Sequence, residues 1–235
     1  MRKTFAPGVG GVVSADIAVP EHEREVSFYS SVLTTGEDPL WRDDLMNNQG
    51  APVIGLGVRT PEYESLPMQW MPHIQVADIA TSAKRAVELG GQEIMHGKDD
   101  GGVSQWAVLV DPDGAAFGII PVVPDDAVST DENIGCISSL KLYLPAPEPA
   151  QDFYRQVVGW SSAEAVSAGE ICPADGENAA LPPVWLIGLP VADLQASLRR
   201  ARAGGGEVIQ ETSAAGYAGA VIQDPVGVYF ALEQA

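Results

Sequence analysis

The chain has three histidines, His22, His73 and His96, and only His73 falls where strand alternation aims it at a ligand. Successive strand residues point to opposite faces, so if Ile74 and Val76 pack beneath a helix, then Met71, His73 and Gln75 share the other face. The same parity sets Ser14, Asp16 and Ala18 opposite Ile17 and Val19, and Ser139, Lys141 and Tyr143 opposite Leu142 and Leu144. Asp16 and Lys141 put charge at otherwise dry positions, where a charge is paired, solvated or in contact with a ligand. Trp106, in the strand Val103 to Val110, supplies an aromatic wall. The candidate ligand-binding set is therefore Asp16, His73, Gln75, Trp106, Lys141 and Tyr143, with no catalytic residue assigned. One histidine does not make a mononuclear metal site, so neither a metal nor a cofactor is called for.

Other chemistry-bearing patterns are missing. There is no G-x-S-x-G elbow, P-loop or dinucleotide fingerprint. Gly8 to Gly11 precedes a strand and reads as a flexible lead-in, while Gly204 to Gly206 follows a helix, the wrong end for phosphate. Cys136 starts a strand and reads as a small buried residue; its spacing from Cys172 matches no zinc signature. His22, at a helix start, and His96, beside the loop Gly97 to Gly102, read as exposed.

The elements that position these residues repeat along the chain. Trp70, Val76 and Asp78 recur as Trp185, Val191 and Asp193 at an offset of 115. A helical pattern follows each, stopped by Gly90-Gly91 or by Gly204-Gly205-Gly206. Later come the turns Asp111-Pro-Asp-Gly114 and Asp224-Pro-Val-Gly227, where proline fixes φ and glycine accepts φ > 0. Phe28-Tyr29 and Phe153-Tyr154 mark helices after Ile17-Ala-Val-Pro20 and Leu142-Tyr-Leu-Pro145, at an offset of 125. Four βαβββ modules account for this pattern, near residues 11–60, 68–121, 135–181 and 183–233. Two domains, 1–123 and 134–235, follow, joined by an acidic, proline-containing linker at 124–133. The repeated tryptophans fall on the helix-facing parity and read as core.

The formal net charge of −19 divides almost evenly, −10 over residues 1–125 and −9 over 126–235. Such a surface repels nucleic acid and anionic membranes, so neither is an expected partner. Solubility, or a salty cytoplasm, accounts for the acidity. A small-molecule ligand is the expected partner, neutral or cationic, since an anion would need Lys141, Arg59 or one of few other cations. No continuous apolar segment approaches the length of a membrane span, and Met1 to Gly11 lacks a signal-peptide core, so a soluble cytoplasmic protein is expected.

In its four modules, its Phe-Tyr helices, its Val-Ala-Asp helix entries and its Asp-Pro-x-Gly turns, the chain resembles the vicinal oxygen chelate superfamily. That superfamily includes glyoxalase I, bleomycin-resistance proteins, fosfomycin-resistance enzymes and extradiol dioxygenases. The resemblance covers nearly the whole chain and implies an α+β fold in which the modules form two glyoxalase-like domains, with curled mixed sheets around cavities. It also implies metal ligands of the His, Gln or Glu type on the concave face. Counting to the usual first-strand positions gives Ser14, Met71, Ser139 and Leu186, and the usual glutamate position gives Gly118 and Ala231. None of these is a good ligand. Two readings stand: a metal-free binding protein of the bleomycin-resistance kind, or a metal-dependent lyase, isomerase or dioxygenase using His73 with Asp16 or a residue near Gly55 to Arg59. Fused halves would replace the usual homodimer, so a monomer is expected. His73 and Gln75 correspond to Gly188 and Pro190, which implies one working cavity.

Overall fold

A computed structural model describes residues 7–34, 44–47, 50–124, 135–160, 169–214 and 216–235. The linker expected at 124–133 lies, beyond Pro124, outside the described residues. Among the described residues, thirteen strands and four α-helices give an α+β fold of two mixed sheets, one of seven strands between residues 12 and 121 and one of six between residues 139 and 234. No described helix is long and apolar enough to cross a membrane.

The module pattern is explicit in the element order. The first module holds β1 (Val12–Val19), α1 (His22–Leu33), β2 (Asp44–Met46) and β3 (Pro52–Val58). The second is complete: β4 (Met71–Val76), α2 (Ile79–Glu88), β5 (Gln92–Lys98), β6 (Ser104–Val110) and β7 (Ala116–Pro121). The third contributes β8 (Ser139–Leu144), α3 (Pro147–Val157) and β9 (Glu170–Pro173). The fourth is complete again, with β10 (Leu186–Val191), α4 (Leu194–Ala203), β11 (Glu207–Ala214), β12 (Tyr217–Gln223) and β13 (Tyr229–Gln234). The first and third show fewer strands among the described residues.

The repeated motifs have physical roles. Asp78 caps α2 by accepting from Thr81 N at 2.7 Å, and Asp193 caps α4 by accepting from Ala196 N at 2.8 Å. Both helices end in paired glycines with different tasks. Gly90 and Gly205 take φ of +92°, which a side chain resists. A Cβ on Gly91 would stand 2.8 Å from the Val110 carbonyl oxygen, so that glycine permits close packing of helix end on strand.

Two compact units emerge, and each draws on both sequence halves. The inner unit, named for its modules' place in the sequence, comprises residues 1–13, 71–128 and 140–185; the outer comprises 14–70, 129–139 and 186–235. In the inner unit α2 packs with α3, and in the outer α1 packs with α4.

Each unit is centred on a buried Trp–Tyr–Asp relay. In the outer unit, Trp70 Nε1 donates to the Tyr29 hydroxyl at 3.0 Å, and that hydroxyl donates to Asp224 Oδ2 at 2.8 Å. In the inner unit, Trp185 Nε1 donates to the Tyr154 hydroxyl at 2.7 Å, which donates to Asp111 Oδ2 at 3.0 Å. The second oxygen of each aspartate accepts the backbone N–H groups of its own turn, from Asp113 and Ala115 or from Val226 and Val228. Three motifs read separately in the sequence are thus one hydrogen-bonded device, repeated. All four ring side chains of the relays are essentially fully buried, which explains the helix-facing parity of the tryptophans. Burial, and then the adjacent aspartate, push both tyrosine hydroxyls well above their ordinary pKa, so they remain donors.

The lead-in at Gly8 to Gly11 is pinned, contrary to its reading as flexible. Gly10 N donates to Gln75 O at 2.8 Å, Gln75 N donates to Gly11 O at 3.0 Å, and Trp160 Nε1 donates to Gly10 O at 2.8 Å.

Candidate ligand site on the strand faces

Burial alternates on β8 and over Ala15 to Ile17 of β1, but not on β4, where only His73 is half-exposed, nor on β10, which is buried throughout. On β8, Leu140, Leu142 and Leu144 are buried while Ser139, Lys141 and Tyr143 are half-exposed; on β1, Ala15, Ile17 and Val19 are buried while Ser14 and Asp16 are half-exposed. Asp16, Lys141 and Tyr143 therefore stand at half-exposed positions of their strands.

In the inner unit, parallel pairing sets His73 of β4 directly beside Gly118 of β7. Gly118 is the position that the superfamily's glutamate would take. A Cβ there would lie 2.9 Å from His73 Cδ2, so the imidazole fills the space of any side chain at 118. Gln75, two residues along, is fully buried, and its Oε1 accepts from Gly8 N at 3.1 Å and Val123 N at 3.0 Å. That oxygen ties the segments flanking the sheet. Trp106 of β6 faces Gly97 of β5 across an antiparallel ladder, and its ring covers the glycine so closely that a Cβ would meet the indole. With 39% of its surface exposed, Trp106 offers a flat apolar face to solvent. Lys141 and Tyr143 of β8 register with Glu170 and Cys172 of β9. Burial, followed by the negative charge of Glu170, raises the Cys172 thiol pKa, with Lys141 acting in the opposite sense. A thiol so protected is a poor nucleophile.

In the outer unit, Asp16 of β1 and Asp44 of β2 both register with Gly55 of β3. A Cβ on Gly55 would stand 3.0 Å from Asp44 Oδ1 and 3.4 Å from Asp16 Cβ, so two half-buried acids flank a residue without a side chain. On the other sheet, Gly188 of β10 registers with Ala231 of β13, repeating the His73–Gly118 pairing without its imidazole. The polar group here is Glu233, two residues beyond Ala231 and on the same face. Its carboxylate accepts from Ser138 Oγ at 2.6 Å and Ser139 Oγ at 2.5 Å, with the Tyr217 hydroxyl at 3.5 Å. The space beside Gly188 is occupied by Ser139 and Glu233.

Asp44 and Glu233 were not in the sequence-derived set. Glu233 could have been found by extending the glutamate test along the strand by one face period, since β13 alternates with period two. Asp44 carries no such signal, because its pairing with Gly55 is set by β2 register. The other two histidines are not exposed as expected: His22 Nε2 lies 2.6 Å from Leu56 O, and His96 is held between Glu93 and Ser104. Arg59, considered as an anion site, directs its guanidinium at the carbonyl oxygens of Ala18, Glu64 and Leu66.

These geometries test the fit of a divalent metal. A first-strand histidine is present, but the neighbouring carboxylate position is glycine and is filled by the imidazole itself. Among the described residues, no three histidine, cysteine or acidic side chains converge as a metal-holding group. The donor set does not fit the superfamily's metal centre.

Residues 13–120 match the family model of the glyoxalase-like domain. Over 97% of this chain and 83% of theirs, the coordinates superpose on the Mn(II)-bound glyoxalase from Novosphingobium aromaticivorans with a TM-score of 0.57 at 16% identity. Residues 13–120 thus resemble a glyoxalase-like domain, and the fold of the whole chain is that of this enzyme. BphC, a halotolerant catechol dioxygenase, gives the same TM-score of 0.57 at 11% identity, over 97% of this chain and 87% of that one. In sequence, this chain is 29% identical over 184 residues to the protein named "Putative glyoxylase CFP32" of Mycobacterium tuberculosis, covering 72% of this chain and 70% of the relative.

Proposed function

We propose that the chain is a ligand-binding member of the superfamily that works without a resident metal, holding a small neutral or cationic molecule against its polar strand faces. One observation carries this reading: the carboxylate position beside His73 is Gly118, and the His73 ring occupies it. A lyase, isomerase or dioxygenase built on the same strands would need a second and third donor there. The charge class of the ligand rests on the net charge of −19 and on the inner unit's Lys141, already in register with Glu170. Trp106 would supply a stacking face, to which a cationic or aromatic ligand is drawn.

A ligand-stabilisation screen tests this. Neutral and cationic aromatic compounds should raise the melting temperature in a dose-dependent way, by about 2.7 kcal/mol of added stability at a hundredfold excess over Kd. Anionic compounds of matched size should not. Trp106→Ala should weaken the response, and one molecule should bind per chain. A response confined to anions, or equal binding at two sites, would contradict the proposal.

A further inference from the structure

The inner unit contains a second constellation, away from His73, that neither the ligand face nor the superfamily's metal chemistry uses. Ser104 Oγ lies 2.8 Å from His96 Nε2, and His96 Nδ1 lies 3.2 Å from Glu93 Oε2. A hydroxyl on one imidazole nitrogen and a carboxylate on the other is the arrangement that activates a serine nucleophile. With Nδ1 protonated toward Glu93, Nε2 is left to accept the serine proton.

Two irregularities in the β5–β6 ladder create it. The register skips between Glu93 and Met95, so one extra residue sits opposite β6, and Glu93 comes to share a face with His96 although they lie three positions apart. A second skip, between Gly97 and Lys98, re-aims β6 at Ser104. In the fourth module the ladder of β11 and β12 carries the matching irregularity between Val208 and Gln210. There, the positions equivalent to Glu93 and His96 are Val208 and Glu211. The bulge belongs to the repeat; the Glu–His–Ser set belongs to one module only.

Ser104 also lines a cleft of about 410 Å³, with Val76, Ile79, Val103 and Pro121 as apolar walls. The first turn of α2, Ile79 and Ala80, forms another part of the wall, and the N–H groups of a first turn have no acceptor within the helix. A developing oxyanion can be met by such donors. Asp78 stands at the rim as an anion, its pKa lowered by its hydrogen bonds with Thr81, and disfavours negatively charged substrates.

We propose that Ser104, His96 and Glu93 form a nucleophile, base and orienting carboxylate for hydrolysis of small, uncharged or cationic carboxylic esters. Ser104 Oγ attacks the ester carbon as its proton passes to His96 Nε2, and the carbonyl electrons move onto oxygen. Collapse breaks the carbon–alkoxy bond, and His96 returns the proton to the leaving alcohol. Water then attacks the acyl-serine, giving a proton to His96, and the acid leaves as the Ser104 hydroxyl is restored.

The test uses the full chain with p-nitrophenyl acetate and, separately, a fluorophosphonate probe followed by peptide mass mapping. The expected result is a phosphonyl adduct on Ser104 and ester hydrolysis that falls at least about 100-fold in Ser104→Ala and in His96→Gln. Glu93→Gln, which keeps the shape, should lower turnover with little change in KM. Ser104→Ala is close to isosteric, and its circular dichroism and melting curve should match wild type, which keeps the comparison meaningful if His96→Gln folds poorly. Hydrolysis by Ser104→Ala within about twofold of wild type, or an adduct absent from Ser104 in the folded wild-type protein, overturns the proposal.

Discussion

Tyr154→Phe lowers the stability of the protein to unfolding by about 2–4 kcal/mol. The hydroxyl it removes accepts from Trp185 Nε1 and donates to Asp111 Oδ2, and each of those groups is buried, so both lose a partner that water cannot replace. The hydrophobic ring remains, which makes the loss a measure of the relay and not of a cavity. A pH dependence accompanies it. Burial raises the Asp111 pKa, while the backbone N–H of Ala115 and then the Tyr154 hydroxyl pull it back. Without the hydroxyl the folded-state pKa rises further. A carboxyl raised in the folded state gives stability that is present below its unfolded pKa and lost as pH climbs through the folded one. Tyr154→Phe should therefore fall further behind wild type at pH 7.5 than at pH 4.5, read by urea unfolding at both. Tyr29→Phe should behave alike in the outer unit. A loss below about 0.5 kcal/mol would mean that the relay is geometry without energy.

Glu25→Gln stabilises the protein at alkaline pH. Glu25 lies on α1 with no exposed surface, its carboxyl set against that of Asp224 and meeting no basic or backbone donor. Burial first, and the charge of Asp224 second, push its pKa from 4.5 to about 8. The folded protein holds that proton at neutral pH, whereas the unfolded chain releases it above about pH 4.5. Stability contributed by the neutral form is thus complete below pH 4.5 and declines as pH rises toward 8. Glutamine keeps the shape and cannot ionise, so the variant should match wild type near pH 4 and exceed it by roughly 2–3 kcal/mol at pH 8, allowing for partial solvation. Equal slopes of stability against pH in the two proteins would remove Glu25 as the source.

What the sequence disclosed, and what it withheld, follows from the range of each interaction. Asp78 and Asp193 were readable as helix entries because a cap acts over three residues. The glycine pairs after α2 and α4 were readable because φ > 0 is a local demand. The pairing of Tyr29 with Asp224 and of Tyr154 with Asp111 was not, because it joins the first module to the fourth and the second to the third, and no local pattern encodes that choice. His73 was placed on the correct strand by parity, yet its register with Gly118 depended on β7. Glu233 escaped a fixed count by a single face period. The His96 cluster lay deepest: Glu93 and His96 are three positions apart, a spacing that strand alternation puts on opposite faces, and only the bulge reverses it.

The superfamily's chemistry turns on a metal, and this chain places an imidazole where the carboxylate ligand would stand. Elemental analysis of protein purified without chelators tests that point most directly. Zinc, manganese, nickel and iron should all be far below one atom per chain, and His73→Ala should leave that content unchanged. One atom of any of them per chain, lost in His73→Ala, would contradict the account.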